Sequence, residues 1–247
     1  MRAGLRVAGV DGCRAGWIAV IRERDARHPD ADPRHTLIVT EGIATLFGDA
    51  ALETIAIDMP MGLPERAGQG GRGPERVVRP LLGARQSSVF SVPSRAAVAC
   101  EEYGEACRVA LATSDPPRKV SKQAFHLFPK VREIDALLTP ALEARVFEVH
   151  PELAFWRLNG ERAMRLPKKV KSAASMPGIE ERAALLRHHG FEAEFLEQRP
   201  PKGAGRDDLV DACVNAVIAE RIAAGRAECF PRDFQRDGKG LRMAIWA

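Results

Sequence analysis

Several acids stand in this sequence where a folded chain rarely leaves them. Asp11 ends the apolar run Val7-Ala8-Gly9-Val10, and Asp58 ends the run Thr54-Ile55-Ala56-Ile57. Glu148 closes the short run Val146-Phe147, and His150 follows two residues later. Asp207, Asp208 and Asp211 open the segment DDLVDACVNAVIAERIAA, in which Asp211 lies between apolar residues. Carboxylates gathered at one spot repel one another and stay ionised only beside a counter-charge. Hard divalent cations such as Mg²⁺ or Mn²⁺ prefer carboxylate oxygens. Two such ions roughly 3.5–4 Å apart clamp a phosphodiester, activate a water and stabilise the leaving oxygen. The chemistry suggested is metal-assisted phosphodiester hydrolysis. Asp11, Asp58, Glu148 and Asp211 are the catalytic candidates, and Asp11, Asp58, Asp208 and Asp211 the metal ligands.

Each acid alone also has a plainer reading. An Asp after a strand is common turn chemistry. Asp207 or Asp208 can cap the helix that follows Gly203 and Gly205, and Asp211 favours the positive end of that helix. The metal reading rests on the four segments together.

The elements that must carry these acids read as follows. Residues 5–11, 17–24 and 35–40 alternate or run apolar as strands, the first two joined as a hairpin, with an exposed loop DARHPDADPRH before the third. A short helix spans Ile43 to Leu52, and TIAIDMP is a strand apolar enough to be covered on both faces. Further helices are expected at Pro74–Leu82, 95–113, 121–138 with a break near Pro129, 178–189 and 206–224. Residues 145–149 form another strand, and GLRMAIW a last edge strand. This order predicts an α/β fold: a mixed sheet with helices on its faces. In such sheets function collects at the carboxyl ends of parallel strands. If the first and fourth strands are parallel neighbours, Asp11 and Asp58 meet there.

Composition narrows the class. The chain has 247 residues, 45% of them hydrophobic, which suffices for one large domain over 1–247 with a helical insertion at about 73–140. A formal charge of +4 permits a polyanionic partner without requiring one. No apolar run reaches membrane-spanning length and no signal-peptide core is visible. The five cysteines have no zinc-type spacing, so reduced thiols in the cytoplasm are expected. AGQGGRG lacks a P-loop ending, and no Gly-x-Ser-x-Gly occurs.

DGCRAGW, AIDMPMGLP, LGARQSSVF, FEVHPELAFW and DDLVDACVNAVIAE, in this order over about residues 7 to 224, resemble the motifs of the domain-of-unknown-function family 429. That family is regarded as predicted nucleases with a ribonuclease H-like fold. The resemblance implies a five-stranded mixed sheet whose first three strands are antiparallel. It implies that Asp11 is the first-strand catalytic acid, Asp58 the fourth-strand acid, and Asp208 or Asp211 the final-helix acid. Glu148 belongs to a family motif without an assigned role. After GRG the family usually carries Asp where this chain has Glu75.

Other segments are expected to meet substrate. Arg85, Ser87 and Ser88 lie in GARQSSVFSVPSR, whose Arg and hydroxyl groups suit phosphate, although Ser91 or Ser94 can equally cap the next helix. Lys122 is a further phosphate contact, and His150 an acid–base or ligand candidate. The run Lys168-Lys169-Val170-Lys171 reads as a basic loop, either solvated or touching nucleic acid. The expected function is a nuclease acting on nucleic acid with Mg²⁺ or Mn²⁺. The rival expectations are a phosphoryl-transfer or ATP-binding protein of the wider actin-like superfamily, and a non-catalytic nucleic-acid-binding protein.

Overall fold

The computed structural model describes residues 4–28, 31–171 and 173–247, so residues 29 and 30 of the expected loop lie outside the described residues. In chain order the elements are β1 (Leu5–Cys13), β2 (Gly16–Arg24), β3 (Arg34–Thr40), α1 (Ala44–Gly48), β4 (Thr54–Ile57), α2 (Gly73–Val78), a 3₁₀ stretch (Arg79–Ser88), α3 (Arg95–Ala99), α4 (Tyr103–Ala112), α5 (Lys122–Phe125), α6 (Phe128–Leu137), a 3₁₀ turn (Leu142–Ala144), β5 (Val146–Glu148), α7 (Pro151–Leu158), β6 (Lys169–Val170), β7 (Ala173–Ala174), α8 (Met176–Arg187), α9 (Ala193–Glu197), α10 (Arg206–Ala223), β8 (Cys229–Arg236) and β9 (Arg242–Trp246). They fall into two compact units. The first runs up to Asp58 and resumes over Arg145–Glu228 and Trp246–Ala247; the second is Met59–Ala144 with Cys229–Ile245.

The first unit is built on a five-stranded mixed sheet in the order β3-β2-β1-β4-β5. β1–β2 and β2–β3 are antiparallel, and β1–β4 and β4–β5 are parallel, as expected for a mixed sheet flanked by helices. β1 is central because nearly all its residues are apolar: Val7, Ala8 and Val10 are fully buried. Such a strand is stable only when covered on both faces.

α10 covers one of those faces. Gly9 makes this possible: a Cβ there would collide with the Ala216 amide and the Ala212 carbonyl of the helix. Asn215 then donates from Nδ2 to the Val10 carbonyl at 2.9 Å, fixing the helix in register on the strand. From Leu209 to Glu220 every residue of α10 is buried, so amphipathic patterning is weak and the helix reads as interior.

The second unit carries α2 to α6 and a two-stranded sheet of β8 and β9. Glu75, which departs from the family pattern, is buried there and holds the Arg72 guanidinium at 2.7 and 2.9 Å and the Arg72 amide at 2.6 Å. Those contacts account fully for its longer side chain. Ser94 caps α3 by accepting from the Ala97 amide at 3.2 Å, and Arg95 pairs with Asp135 and Asp237.

Several expected elements differ. The helix expected at 95–113 breaks into α3 and α4, and that at 121–138 into α5 and α6, with Pro129 in the first turn of α6 rather than at an internal kink. Proline suits that position because its missing N–H has no helical partner there. GLRMAIW does supply a strand: residues 242–246 pair with β8, and Trp246 forms a single parallel bridge to Val149 just past β5. Neither Asp207 nor Asp208 is the cap of α10. Gly205 is, and Asp208, three residues on, accepts from the Gly205 amide at 2.8 Å. Among the described residues no helix is long and apolar enough to cross a membrane.

Candidate metal centre

The acids converge inside the first unit. Val10 pairs with Ile57 across the parallel β1–β4 ladder, so the next residues, Asp11 and Asp58, leave the sheet side by side. The Asp58 amide donates to the Val10 carbonyl at 3.0 Å, the same carbonyl that receives Asn215. Asp211 lies one turn before Asn215 and shares its helix face. Gly9 and Asn215 therefore set the depth and register that bring Asp211 to the strand ends. One carboxylate oxygen from each of Asp11, Asp58 and Asp211 lies within 4.8 Å of the others. Asp11 Oδ1 accepts from the Gly12 amide at 2.7 Å.

Two ammonium groups answer this charge, and both come from the run that reads in sequence as a basic surface loop. Lys168 Nζ donates to Asp211 Oδ2, and Lys169 Nζ lies 2.6 Å from Asp207 Oδ2. The segment is held from below by α8. A Cβ at Gly178 would strike the Pro167 carbonyl, so only glycine lets the chain pass there. Glu181 accepts from the Leu166 amide at 2.9 Å, and Arg182 donates to the Leu166 carbonyl at 2.9 Å. Arg182 is fully buried and also grips both Glu152 oxygens at 2.6 and 2.8 Å.

The electrostatics follow from burial and crowding. Burial first, then the charges of Asp58 and Asp208, push Asp11 well above the ordinary carboxyl range, against the pull of Lys168 and the Gly12 amide. Burial also raises Asp58, opposed chiefly by His150 and Lys168 and reinforced by Glu152. Asp208 is raised by burial and by Asp207. Burial would lift Asp207 too, but its bond to Lys169 outweighs this and holds it low. Five aspartates thus face two lysines, and three of them, Asp11, Asp58 and Asp208, are pushed toward their neutral forms.

The residues fit a divalent cation on one direct observation. Asp211 is 3% exposed, and its Oδ1 is buried with no hydrogen-bond partner. A buried carboxylate oxygen without a partner is costly. An all-oxygen set with converging lone pairs suits a hard divalent ion. Asp11, Asp58 and Asp211 could hold such an ion.

The other expected site residues are placed as follows. Asp208 is within electrostatic reach of Asp11. His150 precedes α7 and lies close enough to Asp58 to hold its carboxyl down. Glu148 is buried but stands apart from the triplet: it pairs with Ile57, and alternation puts Ile57, Val10 and Glu148 on the sheet face opposite to Gly9 and Asp11. Arg85, Ser87, Ser88 and Lys122 belong to the second unit. There Ser88 donates to the Arg85 carbonyl at 2.8 Å within the 3₁₀ stretch, and the Lys122 ammonium lies 6.0 Å from the Tyr103 ring centre.

A family model described as "Protein of unknown function (DUF429)" matches residues 9–236. No curated protein and no solved structure matches the chain.

Proposed function

We propose that this chain, which belongs to the DUF429 family, is a nuclease: it hydrolyses phosphodiester bonds in nucleic acid with Mg²⁺ or Mn²⁺ held by Asp11, Asp58 and Asp211. The observation that carries the reading is the convergence of these three carboxylates at the ends of two parallel strands, with Asp211 Oδ1 left buried and unpartnered. The strand order β3-β2-β1-β4-β5, antiparallel over its first three strands and parallel thereafter, supports a ribonuclease H-like fold.

When bound, a divalent ion supplies Lewis-acid polarisation of a phosphoryl oxygen and makes a water more acidic. The chain supplies the rest. Asp11 and Asp58 sit on rigid strand ends, so their oxygens need little ordering on binding. Asp208, tethered to the Gly205 amide through Oδ2, keeps its other oxygen for the same cluster. Lys168 and Lys169 act as internal counter-ions to Asp211 and Asp207, and with a cation held by the aspartates they would be available to a substrate phosphate. His150, next to Asp58, can hold or pass a proton. Glu148 lies on the opposite face of the sheet from Asp11. The proposal needs no residue of the second unit. A cytoplasmic setting accords with the described cysteines, none of which forms a disulfide.

The test is a cleavage assay on end-labelled single-stranded, duplex, hybrid and branched substrates with Mg²⁺, Mn²⁺ or chelator, beside Asp11→Asn. Metal-dependent cleavage that disappears in the variant is expected. Folded protein that binds metal but cleaves none of the substrates overturns the nuclease reading.

A further inference from the structure

The second unit contains a separate cavity of about 440 Å³, within the size range of small-ligand sites. Arg79, Arg118 and Lys119 stand on its wall, and among the described residues no Asp or Glu lines it. These three cations differ in character. Arg79 is immobilised: its guanidinium donates to the Val89 carbonyl at 2.8 Å, to the Gly70 carbonyl, and to Ser91 Oγ at 3.0 Å. All three acceptors are neutral, and the carboxylate that acts on it through space, Glu75, is itself bound to Arg72. Arg118 and Lys119 are exposed, and among the described residues neither side chain makes a hydrogen bond or ion pair. The lining also includes apolar residues, among them Val92, buried, and Phe90, half-buried.

Three cations around one concave space, two of them exposed, favour an anion, and guanidinium groups in particular suit phosphate oxygens. The apolar lining and the Phe90 ring are wasted on an inorganic ion, because they offer contact only to a flat organic body. We propose that this cavity is a binding site for a phosphate monoester carrying a planar ring, of mononucleotide size. Arg79 is the fixed anchor, Arg118 and Lys119 close on the phosphate, and Phe90 stacks on the ring. The site is independent of the aspartate cluster and of the activity proposed for it.

The experiment is calorimetric titration of the full chain, in chelator, with adenosine 5′-monophosphate, adenosine and inorganic phosphate as separate probes. The monophosphate should bind at least about tenfold more tightly than either fragment. Replacing both exposed cations, Arg118→Ala with Lys119→Ala, should weaken the monophosphate about tenfold or more and leave adenosine unchanged. Phe90→Leu, which keeps the apolar packing, should weaken monophosphate and adenosine alike and leave inorganic phosphate unchanged. Asp11→Asn should change none of these affinities. Absence of monophosphate binding at millimolar concentration overturns the proposal. So does inorganic phosphate binding as well as the monophosphate, or binding that survives the double replacement.

Discussion

Asp11 is buried among like charges, and that has a measurable pH signature. Its folded pKa lies above the unfolded value of 3.8, so the folded state keeps the proton longer. Between the two values the native state binds more protons, and stability falls as pH rises through that window. In chelator, therefore, Asp11→Asn should stabilise the protein, and by more near pH 7 than near pH 4. Melting curves of both forms across that range check the sign; a gain that grows on acidification contradicts it. Lys168 gives a second prediction. Lys168→Met removes the ammonium that competes for Asp211, so Mn²⁺ should bind about tenfold more tightly, roughly 1.4 kcal/mol, while cleavage falls. Calorimetry and the cleavage assay read the two effects separately. At this scale the three central aspartates were legible because each interrupts an apolar run. The lysines were not: a charged run among polar residues looks solvated, and the acid that claims Lys168 is 43 positions away.

The elements that aim these side chains depend on close approaches. Gly9→Ala inserts a methyl group between β1 and α10 and should cost about 1–3 kcal/mol, measured by denaturant unfolding. Because the same contact sets where Asp211 arrives, the variant should also lose metal affinity while folded. Arg182 supports the centre from the other side, through Glu152 and the Leu166 carbonyl. Arg182→Met strands a buried carboxylate and should cost about 3–5 kcal/mol; adding Glu152→Leu should restore most of that loss. If the double variant is no more stable than the single, the pair is not what holds α8 to α7. The strands of the main sheet were legible from β-branched, apolar runs with turns between them. β8 was missed because CFPRDFQR is too charged and carries Pro231, which marks a ribbon rather than a sheet interior. The cap of α10 was misread because Asp207 and Asp208 both look like caps, whereas the role of Gly205 follows only from backbone geometry.

Across the whole molecule, the proposed metal ligands come from segments far apart in sequence, so ion binding at them would be coupled to folding of the first unit. A ligand that binds only the native state, at a hundred times its dissociation constant, adds about 2.7 kcal/mol. Saturating Mn²⁺ should raise the melting temperature by several degrees, chelator should reverse this, and Asp211→Asn should abolish it. The mixed sheet and its helical flanks were legible from the order of patterned runs. The division into two units was not, because the segment that returns to the second unit, Cys229–Ile245, lies far along the chain from the rest of it.

The slot at Gly9 also has a meaning in time. During synthesis Asp11 leaves the ribosome about 200 residues before Asp211. At roughly 5–20 residues per second that is an interval of at least about 10 s. Until α10 arrives, the groove over Gly9 lies open and the carboxylates on β1 and β4 lack their third partner. A nascent chain near messenger and ribosomal RNA thus carries an unassembled centre, and the last large helix to emerge completes it.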